Sequence, residues 1–366
     1  MSDNAPNRVP SGEIIVNDER EPLVSILTPV YNGEAYLEEC IASVLRQTYR
    51  NWIYTIVNNC STDGTLAIAQ RYAAENPRIR IHNNIRMLSI IENHGMTLRM
   101  VSPESKYCKI VFADDWLYPE CLSKMVEVAE SHPTVGVVGA YGLSGTKVSW
   151  DGLPPTARVV PGKEICRWRL FGGAYVFGSL TSVLFRSELA RKIRSFDDPE
   201  NLQADTDACF ELLQNSDFGF VHQVLTFTRG ENESTNSFAV RFRTTLPATL
   251  GNLLTYGPMC MSKEELDRRV RDHMRNYYRY LADNVLRFRG PDFWRFHKMK
   301  LQKVELPLSH LRLVGFVALK AADLVLNPLR TMENIVRTVA AGWTPSNQEG
   351  LKLPNYREGD SGSESA

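Results

Sequence analysis

The sequence has 366 residues, 43% hydrophobic and 23% charged, a composition typical of a globular protein with a substantial core. Lys and Arg total 42 and Asp and Glu total 42, so the formal net charge is zero. This balance excludes a protein that coats nucleic acid, because neutralising phosphates requires an excess of Lys and Arg, and we expect no nucleic-acid partner. The seven cysteines form no Cys-x-x-Cys pair, so neither a disulfide framework nor a structural zinc site is indicated.

The two ends of the chain differ from its middle in composition. Residues 1–21 and 343–366 are rich in Pro, Asn, Gly, Ser and acidic residues, and we predict that both are disordered tails. The N-terminal stretch lacks the apolar core of a signal peptide, and no apolar run is long enough to cross a bilayer. These features predict a cytoplasmic protein.

Residues 22–235 alternate between short apolar runs and segments with helical periodicity. Apolar residues at positions 37, 41, 44 and 45 predict the first helix, and similar spacing recurs near 66–72 and 122–129. The runs predicted as strands are 24–27, 52–57, 79–81, 110–112 and 135–139. Strands that are apolar throughout and alternate with helices predict an α/β domain with a mainly parallel sheet covered on both faces.

The strand pattern fades after residue 235. Ser262 and Glu265 form a capping box that predicts the start of a long helix, and further helical periodicity continues to about residue 341. We therefore predict a helical C-terminal region over residues 236–342.

Polar clusters follow three of the predicted strands, at residues 28–34, 58–65 and 113–116. Ligands bind outside the carboxyl ends of parallel strands, so these clusters are expected to meet at one edge of the sheet. Each also suits an ordinary turn or helix cap. The chain contains neither Gly-x-Gly-x-x-Gly after the first strand nor a P-loop, which excludes the common dinucleotide and NTP motifs.

The adjacent carboxylates of Asp114 and Asp115 are the sharpest chemical feature. Like charges at a strand end repel each other unless a cation lies between them. Carboxylate oxygens are ligands that Mg²⁺ or Mn²⁺ accepts while keeping coordination positions open for phosphate. The pair predicts a divalent metal site, with a solvated acidic turn as the alternative.

The segments VSILTPVYNGEAYLEECIASVLRQTYRNW, IVNNCSTDGT and KIVFADDWLYPECL resemble the family 2 nucleotide-sugar glycosyltransferases of the GT-A fold. The resemblance extends over residues 24–229 and keeps the order and spacing of the family motifs. It implies a Rossmann-like GT-A catalytic domain, here residues 22–235, with the helical region as an appendage.

The resemblance assigns roles to individual positions of this chain. It places the nucleoside against Pro29, Tyr31, Asn32, Glu34 and Asn59. It makes Asp115 the metal ligand, with Asp114 beside the ribose and phosphates, and matches Asn93 to a family asparagine on the helix before that strand. The family usually has two acids where this chain has Asn58-Asn59, which puts the preference for the donor base in question.

The family also has a Glu-Asp motif at the start of a later helix, whose Asp is the catalytic base. Its counterpart here is Ala204-Asp205, so the resemblance implies that Asp205 is the base and that Ala204 replaces the glutamate. Without the resemblance, Asp205 reads as a carboxylate favoured at a helix start by the helix dipole.

Together these features predict an inverting, metal-dependent transferase. It would move a sugar from a nucleotide-sugar donor to a saccharide or lipid-linked acceptor, in cell-surface polysaccharide biosynthesis. One alternative is a catalytically inactive GT-A protein that acts as a scaffold at the membrane. A sugar-nucleotide-forming nucleotidyltransferase is the other, but it requires a basic, Gly-rich loop after the first strand, and TPVYNGE is neither.

Residues 287–327 combine basic and aromatic residues with a helix that is apolar around most of its circumference. Such a segment is typical of an element lying on an anionic membrane surface, here the inner face of the membrane. A helix docked on the protein itself or buried in a dimer is the alternative interpretation.

Overall fold

The computed structural model describes residues 21–229 and 239–326. The segments predicted as disordered tails, apart from residue 21, and the last part of the predicted helical region lie outside the described residues. Within the described ranges the chain forms one ten-stranded sheet with helices on both faces, followed by a group of helices.

The strands of the sheet are β1 Val24–Val30, β2 Trp52–Asn58, β3 Ile79–Asn83, β4 Tyr107–Ile110, β5 Trp116–Leu117, β6 Val135–Ser144, β7 Lys147–Ser149, β8 Val159–Val160, β9 Val183–Arg186 and β10 Asp217–Thr228. The helices are α1 Leu37–Leu45, α2 Thr65–Glu75, α3 Ile90–Arg99, α4 Cys121–Ser131, α5 Gly162–Leu170, α6 Ser187–Ala190, α7 Ala204–Leu213, α8 Thr245–Cys260, α9 Lys263–Leu286, α10 Pro291–Lys303 and α11 His310–Leu326.

The sheet has the strand order β3-β2-β1-β4-β9-β6-β10-β5. Pairing is parallel from β3 to β4 and again between β6 and β10. The predicted fold class, a mainly parallel α/β sheet with C-terminal helices, is confirmed. The antiparallel strand β9, between β4 and β6, was missed because four residues are too few to show a periodicity.

The fourth strand lies earlier than predicted, at Tyr107–Ile110 instead of residues 110–112. The strand was misplaced because Lys109 interrupts the apolar run in the sequence. In the structure Lys109 is fully buried. Its ammonium group donates to the main-chain carbonyls of Thr181 and, over 3.0 Å, Val183. These bonds offset the cost of burying a polar group and connect β4 to the chain entering β9.

Two apolar layers enclose the sheet and a third lies among the C-terminal helices. One layer includes Trp52 and Tyr54 under α1 and α4, and the other includes Phe177, Phe185 and Phe218 under α5 and α7. The third is built around Tyr277, Leu281 and Phe293. The predicted capping box at the start of α9 is present, with Ser262 and Glu265 bonded reciprocally.

The C-terminal helices are docked on α5 of the α/β domain. Arg167 donates to both carboxylate oxygens of Glu265, over 2.8 and 2.6 Å, and Arg269 Nε donates to the Leu170 carbonyl over 2.8 Å. The paired geometry fixes the start of α9 against the end of α5. No helix in the described ranges combines the length and the apolar character that a membrane span requires.

Candidate active site

The carboxyl ends of β1, β2 and β4 lie side by side because these strands are parallel and in register. Val30 is opposite Asn58, and Leu27 is opposite Ile110. The three polar clusters that follow these strands therefore meet at one edge of the sheet, as the sequence predicted. This edge is the candidate donor site.

The loop after β1 is fastened to the loop after β2 by its polar residues. Asn32 adopts a left-handed conformation, with φ of 48°, and its Oδ1 accepts from the Thr62 N–H over 2.8 Å. Glu34 Oε2 accepts from the Gly64 N–H over 2.9 Å, at the start of α2. Both side chains thus shape the loop, while Tyr31 between β1 and these anchors is 48% exposed. Pro29 lies within β1, opposite Val57.

Asn59 is buried and its carboxamide is used within the protein. Nδ2 donates to the Leu88 carbonyl over 2.9 Å, and Oδ1 accepts from the Leu88 N–H over 3.0 Å. Asn84 Nδ2 donates to Oδ1 of Asn59 and to Oδ1 of Asn93, each over 2.9 Å. Asn59, predicted to contact the nucleoside, and Asn93, matched to a family asparagine, therefore belong to one amide cluster that holds the chain between β3 and α3.

Asp115 lies just beyond β4 and is 2% exposed. Its Oδ1 accepts from the backbone N–H of Arg229 over 3.1 Å, while Oδ2 is buried and has no partner in hydrogen-bonding geometry among the described residues. Burial raises the pKa of Asp115 to about 7; the charge of Asp114 also raises it, and the nearby Thr181 hydroxyl and Arg229 lower it. A buried, unpartnered carboxylate oxygen is what a divalent cation would satisfy, so the residues present fit a metal site.

Arg229 packs against the same corner. Its guanidinium lies 4.2 Å from the ring centre of Tyr36 and donates to Glu39 over 2.9 Å, and Nε donates to the Asp114 carbonyl over 3.3 Å. These contacts place a cation beside the acidic pair and fix the end of β10 to β5 and α1. Residues 230–238, which follow, lie outside the described ranges.

Asp205 is partly buried in the first turn of α7. Its Oδ1 accepts from the backbone N–H of Thr206 over 2.7 Å, and desolvation raises its pKa above the ordinary value. The Thr206 hydroxyl in turn is bonded to the Tyr175 hydroxyl over 2.8 Å. A carboxylate with a raised pKa is suited to accepting a proton near neutral pH.

A segment that sequence reasoning did not single out connects the two acidic positions. Tyr175 is bonded to Thr206 beside Asp205, and its hydroxyl also donates to the Gly178 carbonyl over 3.0 Å. At the other end of the segment, the Thr181 hydroxyl accepts a hydrogen bond from the Phe112 N–H over 3.0 Å. Phe112 lies two residues before Asp114. Residues 175–181 thus link the start of α7, beside Asp205, to the chain just before Asp114 and Asp115. The sequence signals only the Gly172-Gly173 pair just before this segment.

The family model described as "Glycosyl transferase family 2" matches residues 25–194. The uncharacterized glycosyltransferase RT0329 of Rickettsia typhi (strain ATCC VR-144 / Wilmington) is 30% identical over 222 residues, which cover 60% of this chain and 67% of the relative. This chain belongs to glycosyltransferase family 2.

A second relative in the family has a more specific name. The putative teichuronic acid biosynthesis glycosyltransferase TuaG of Bacillus subtilis (strain 168) is 33% identical over 138 residues, covering 37% of this chain and 51% of that protein. The chain therefore spans only about half of that relative.

Solved structures share the GT-A fold with this family 2 member at low sequence identity. S. aureus TarS 1-349 in complex with UDP is 15% identical with a TM-score of 0.55, covering 92% of this chain and 97% of that one. The mannosyltransferase PcManGT from Pyrobaculum calidifontis, in complex with GDP-Man and Mn²⁺, is also 15% identical, with a TM-score of 0.50 and coverages of 88% and 86%. These likenesses support the fold assignment.

Proposed function

We propose that the protein is an inverting glycosyltransferase that transfers a sugar from a nucleotide-sugar donor to a saccharide or lipid-linked acceptor. The observation that carries the proposal is the pair of acidic positions joined by residues 175–181: Asp115 with its unpartnered buried oxygen, and Asp205 with its raised pKa. Displacement at a sugar carbon requires charge stabilisation at the leaving diphosphate and a base at the acceptor hydroxyl.

The donor side of the site uses Asp114 and Asp115. Among the described residues, no group of three or more His, Cys, Asp and Glu side chains could hold a metal, so Asp115 and Asp114 would share it with the ligand's phosphates and water. A bound Mg²⁺ or Mn²⁺ would supply charge neutralisation at the diphosphate. Support for a divalent cation also comes from PcManGT, which was solved with Mn²⁺.

The nucleoside would lie along the loop after β1. Pro29, Tyr31 and Asn32 would line the base and ribose, with Glu34 fixing the loop from behind through Gly64. Asn59 and Asn93 would act by holding Leu88 and Asn84 in place, since their amides are already hydrogen-bonded within the protein. TarS binds UDP and PcManGT binds GDP-Man, which supports a nucleoside diphosphate ligand without selecting the base.

The acceptor side would use Asp205. The Thr206 N–H holds one oxygen of its carboxylate, leaving the other to take the proton of the attacking hydroxyl. The new glycosidic bond forms as the bond to the diphosphate breaks, so attack from the opposite face inverts the anomeric carbon. TuaG, which is named for teichuronic acid biosynthesis, supports polysaccharide assembly as the setting. We place this reaction at the cytoplasmic face of the membrane.

The proposal is tested by offering the purified full chain a panel of UDP-, GDP- and dTDP-sugars with Mn²⁺ and measuring release of the nucleoside diphosphate. A thermal-shift screen of the free nucleoside diphosphates, with and without Mn²⁺, runs alongside, because ligand binding adds directly to stability. We expect metal-dependent stabilisation by one nucleotide and turnover of a sugar carried on it. Binding with no turnover of any donor or acceptor would favour the inactive scaffold and overturn the proposal.

A further inference from the structure

Helix α11, the last described element, packs on the rest of the molecule through one face. Leu313 is 8% exposed, and Phe316 stacks on Tyr278 with ring centres 5.9 Å apart. One turn further, Lys320 Nζ lies 2.9 Å from Asp283. The inner face of α11 is therefore packed against α9.

The opposite face of α11 is apolar, and none of the described residues covers it. The fractional exposures of its large side chains are 85% at Leu311, 64% at Val314, 68% at Leu319 and 76% at Leu326. Ala318 and Ala322 are exposed between them. Spacings of three and four residues align these side chains in one stripe, and 17 residues make a helix about 25 Å long. Arg312 and Asp323 lie along one edge of the stripe, between it and the inner face that carries Lys320.

A basic, aromatic turn lies near the end of the described part of α11. Tyr278 contacts α11 near its start, and Asp283 contacts it further on, so α9 and α11 run in the same direction. The turn that follows α9 is therefore close to the end of α11. Phe288 in that turn is 92% exposed, with exposed Arg287 and Arg289 on either side.

Two arginines, Arg287 and Arg289, give this turn a positive charge although the whole chain is neutral. The lysines at the far end of α10 do not add to it, because Lys300 and Lys303 lie against Glu200 and Asp198. An apolar stripe flanked by basic residues complements a surface that is apolar inside and anionic at its rim. A second copy of this face is less complementary. Two copies paired about a two-fold axis would bring Arg312 of one copy close to Arg312, or to Arg287 and Arg289, of the other.

We propose that the outer face of α11 and the 287–290 turn dock on the surface of an anionic lipid bilayer. Leu311, Val314, Leu319 and Leu326 enter the acyl boundary, Phe288 inserts at the end of the helix, and the arginines contact lipid phosphates. This surface is independent of sugar transfer.

Co-sedimentation of the full chain with vesicles tests the proposal. We expect the protein to pellet with vesicles of equal phosphatidylglycerol and phosphatidylcholine, and at least tenfold less with phosphatidylcholine alone. Binding should weaken when NaCl rises from 0.1 to 0.5 M, because the arginine contacts are screened. Equal binding to both vesicle types would contradict the anionic surface.

Leu319→Glu is the decisive variant, and Val148→Glu, at a 51% exposed valine of β7, is its matched control. We expect Leu319→Glu to reduce vesicle binding about tenfold or more and the control to leave it unchanged, with equal melting temperatures because both positions are exposed. Phe288→Ser should reduce binding through a different element.

Two results would overturn the proposal. Wild-type protein that does not bind anionic vesicles would contradict a membrane-docking surface. A wild-type dimer in sedimentation equilibrium that Leu319→Glu dissociates, without vesicle binding, would assign the stripe to a second copy. Neither readout involves sugar transfer, so the outcome is separate from that of the proposed activity.

Discussion

The backbone N–H of Arg229 donates to Oδ1 of Asp115 over 3.1 Å, joining the end of β10 to the residue just beyond β4. The bond takes one carboxylate oxygen, and within residues 21–229 and 239–326 the buried Oδ2 has no hydrogen-bond partner. Because the donor is a main-chain group, the orientation of Asp115 depends on the sheet edge rather than on a mobile side chain. The carboxylate is thus held with its second oxygen available for a cation.

Asp115→Asn should remove metal-dependent nucleotide binding. The amide keeps the size of the side chain but carries no negative charge, and loss of even an outer partner of a metal ligand typically costs 10–100-fold in affinity. We expect the affinity for the preferred nucleoside diphosphate in Mn²⁺ to fall about 100-fold or more, measured by calorimetric titration. Asp267→Asn, at an exposed aspartate of α9, is the control and should titrate like the wild type. Unchanged heats for Asp115→Asn would remove the metal assignment.

Asp205→Asn should abolish transfer while leaving donor binding intact. General-base catalysis contributes about 10²–10⁴-fold, so kcat should fall by that factor while the affinity for the nucleoside diphosphate stays at the wild-type value. Since desolvation raises the pKa of Asp205, the acid limb of kcat/KM should lie above the ordinary aspartate value of about pH 4.

Asp207→Asn is the matched control for that variant, because it makes the same change two residues along α7. The Asp207 carboxylate accepts from Asn201 over 2.8 Å and, with the Asn252 amide turned, from Asn252 over 2.7 Å. It is thus committed to bonds within the protein, and its amide variant should keep turnover near normal. Equal losses in both variants would contradict a special role for Asp205.

The fold and the location of the site were predictable where the signal is local. Apolar periodicity located α1, α2 and α4, and the strand-end clusters correctly identified the edge formed by β1, β2 and β4. Lys109 concealed the start of β4 because its burial depends on carbonyls of Thr181 and Val183, more than 70 residues away. No pattern near Lys109 reveals that partner.

Within the site, the sequence named residues but not their partners. Asn59 was expected to face the nucleoside as the family's acid does. Its partner Leu88 lies 29 residues along the chain, and no local sequence pattern indicates that the two are hydrogen-bonded. Tyr175 and Thr181 were missed for the same reason, since each acts through contacts that form only when α7 and β4 have packed. The roles of the predicted site residues stay predictions until the variants are measured.

Asn59→Asp should destabilise the protein rather than restore an acidic base pocket. The wild-type Nδ2 donates to the Leu88 carbonyl, so a carboxylate would place an oxygen against that oxygen in a buried position. Loss of such a buried hydrogen bond costs about 1–3 kcal/mol, and we expect that decrease in the free energy of unfolding, measured by urea titration. Asn215→Asp, at an exposed asparagine after α7, should be neutral. A stable Asn59→Asp variant with tighter uridine nucleotide binding would instead show that Asn59 reads the base directly.

Asp207 should make the stability of the protein depend on pH between about 4 and 6. It lines a cavity of about 310 Å³ between α7, α8 and α10, and burial raises its pKa to about 6, above the value of 3.8 for an unperturbed aspartate. The native state therefore binds a proton across this window that the unfolded chain has released. The contribution of this group favours folding at low pH and is lost as the pH rises through the native pKa.

The Asp207→Asn variant has no carboxyl group to titrate at this position, so comparing its stability with that of the wild type at each pH tests the prediction. The difference in free energy of unfolding, variant minus wild type, should increase by about 1–2 kcal/mol between pH 4.5 and pH 7 and stay constant above pH 7. A shift of one pKa unit is worth about 1.4 kcal/mol, and the partial exposure of Asp207 reduces the effect of its shift. Urea unfolding at each pH provides the values, and Asp267→Asn should show a flat difference. If the Asp207→Asn difference is also flat, Asp207 is ionised in the native state throughout, with Asn201 and Asn252 fully compensating its burial.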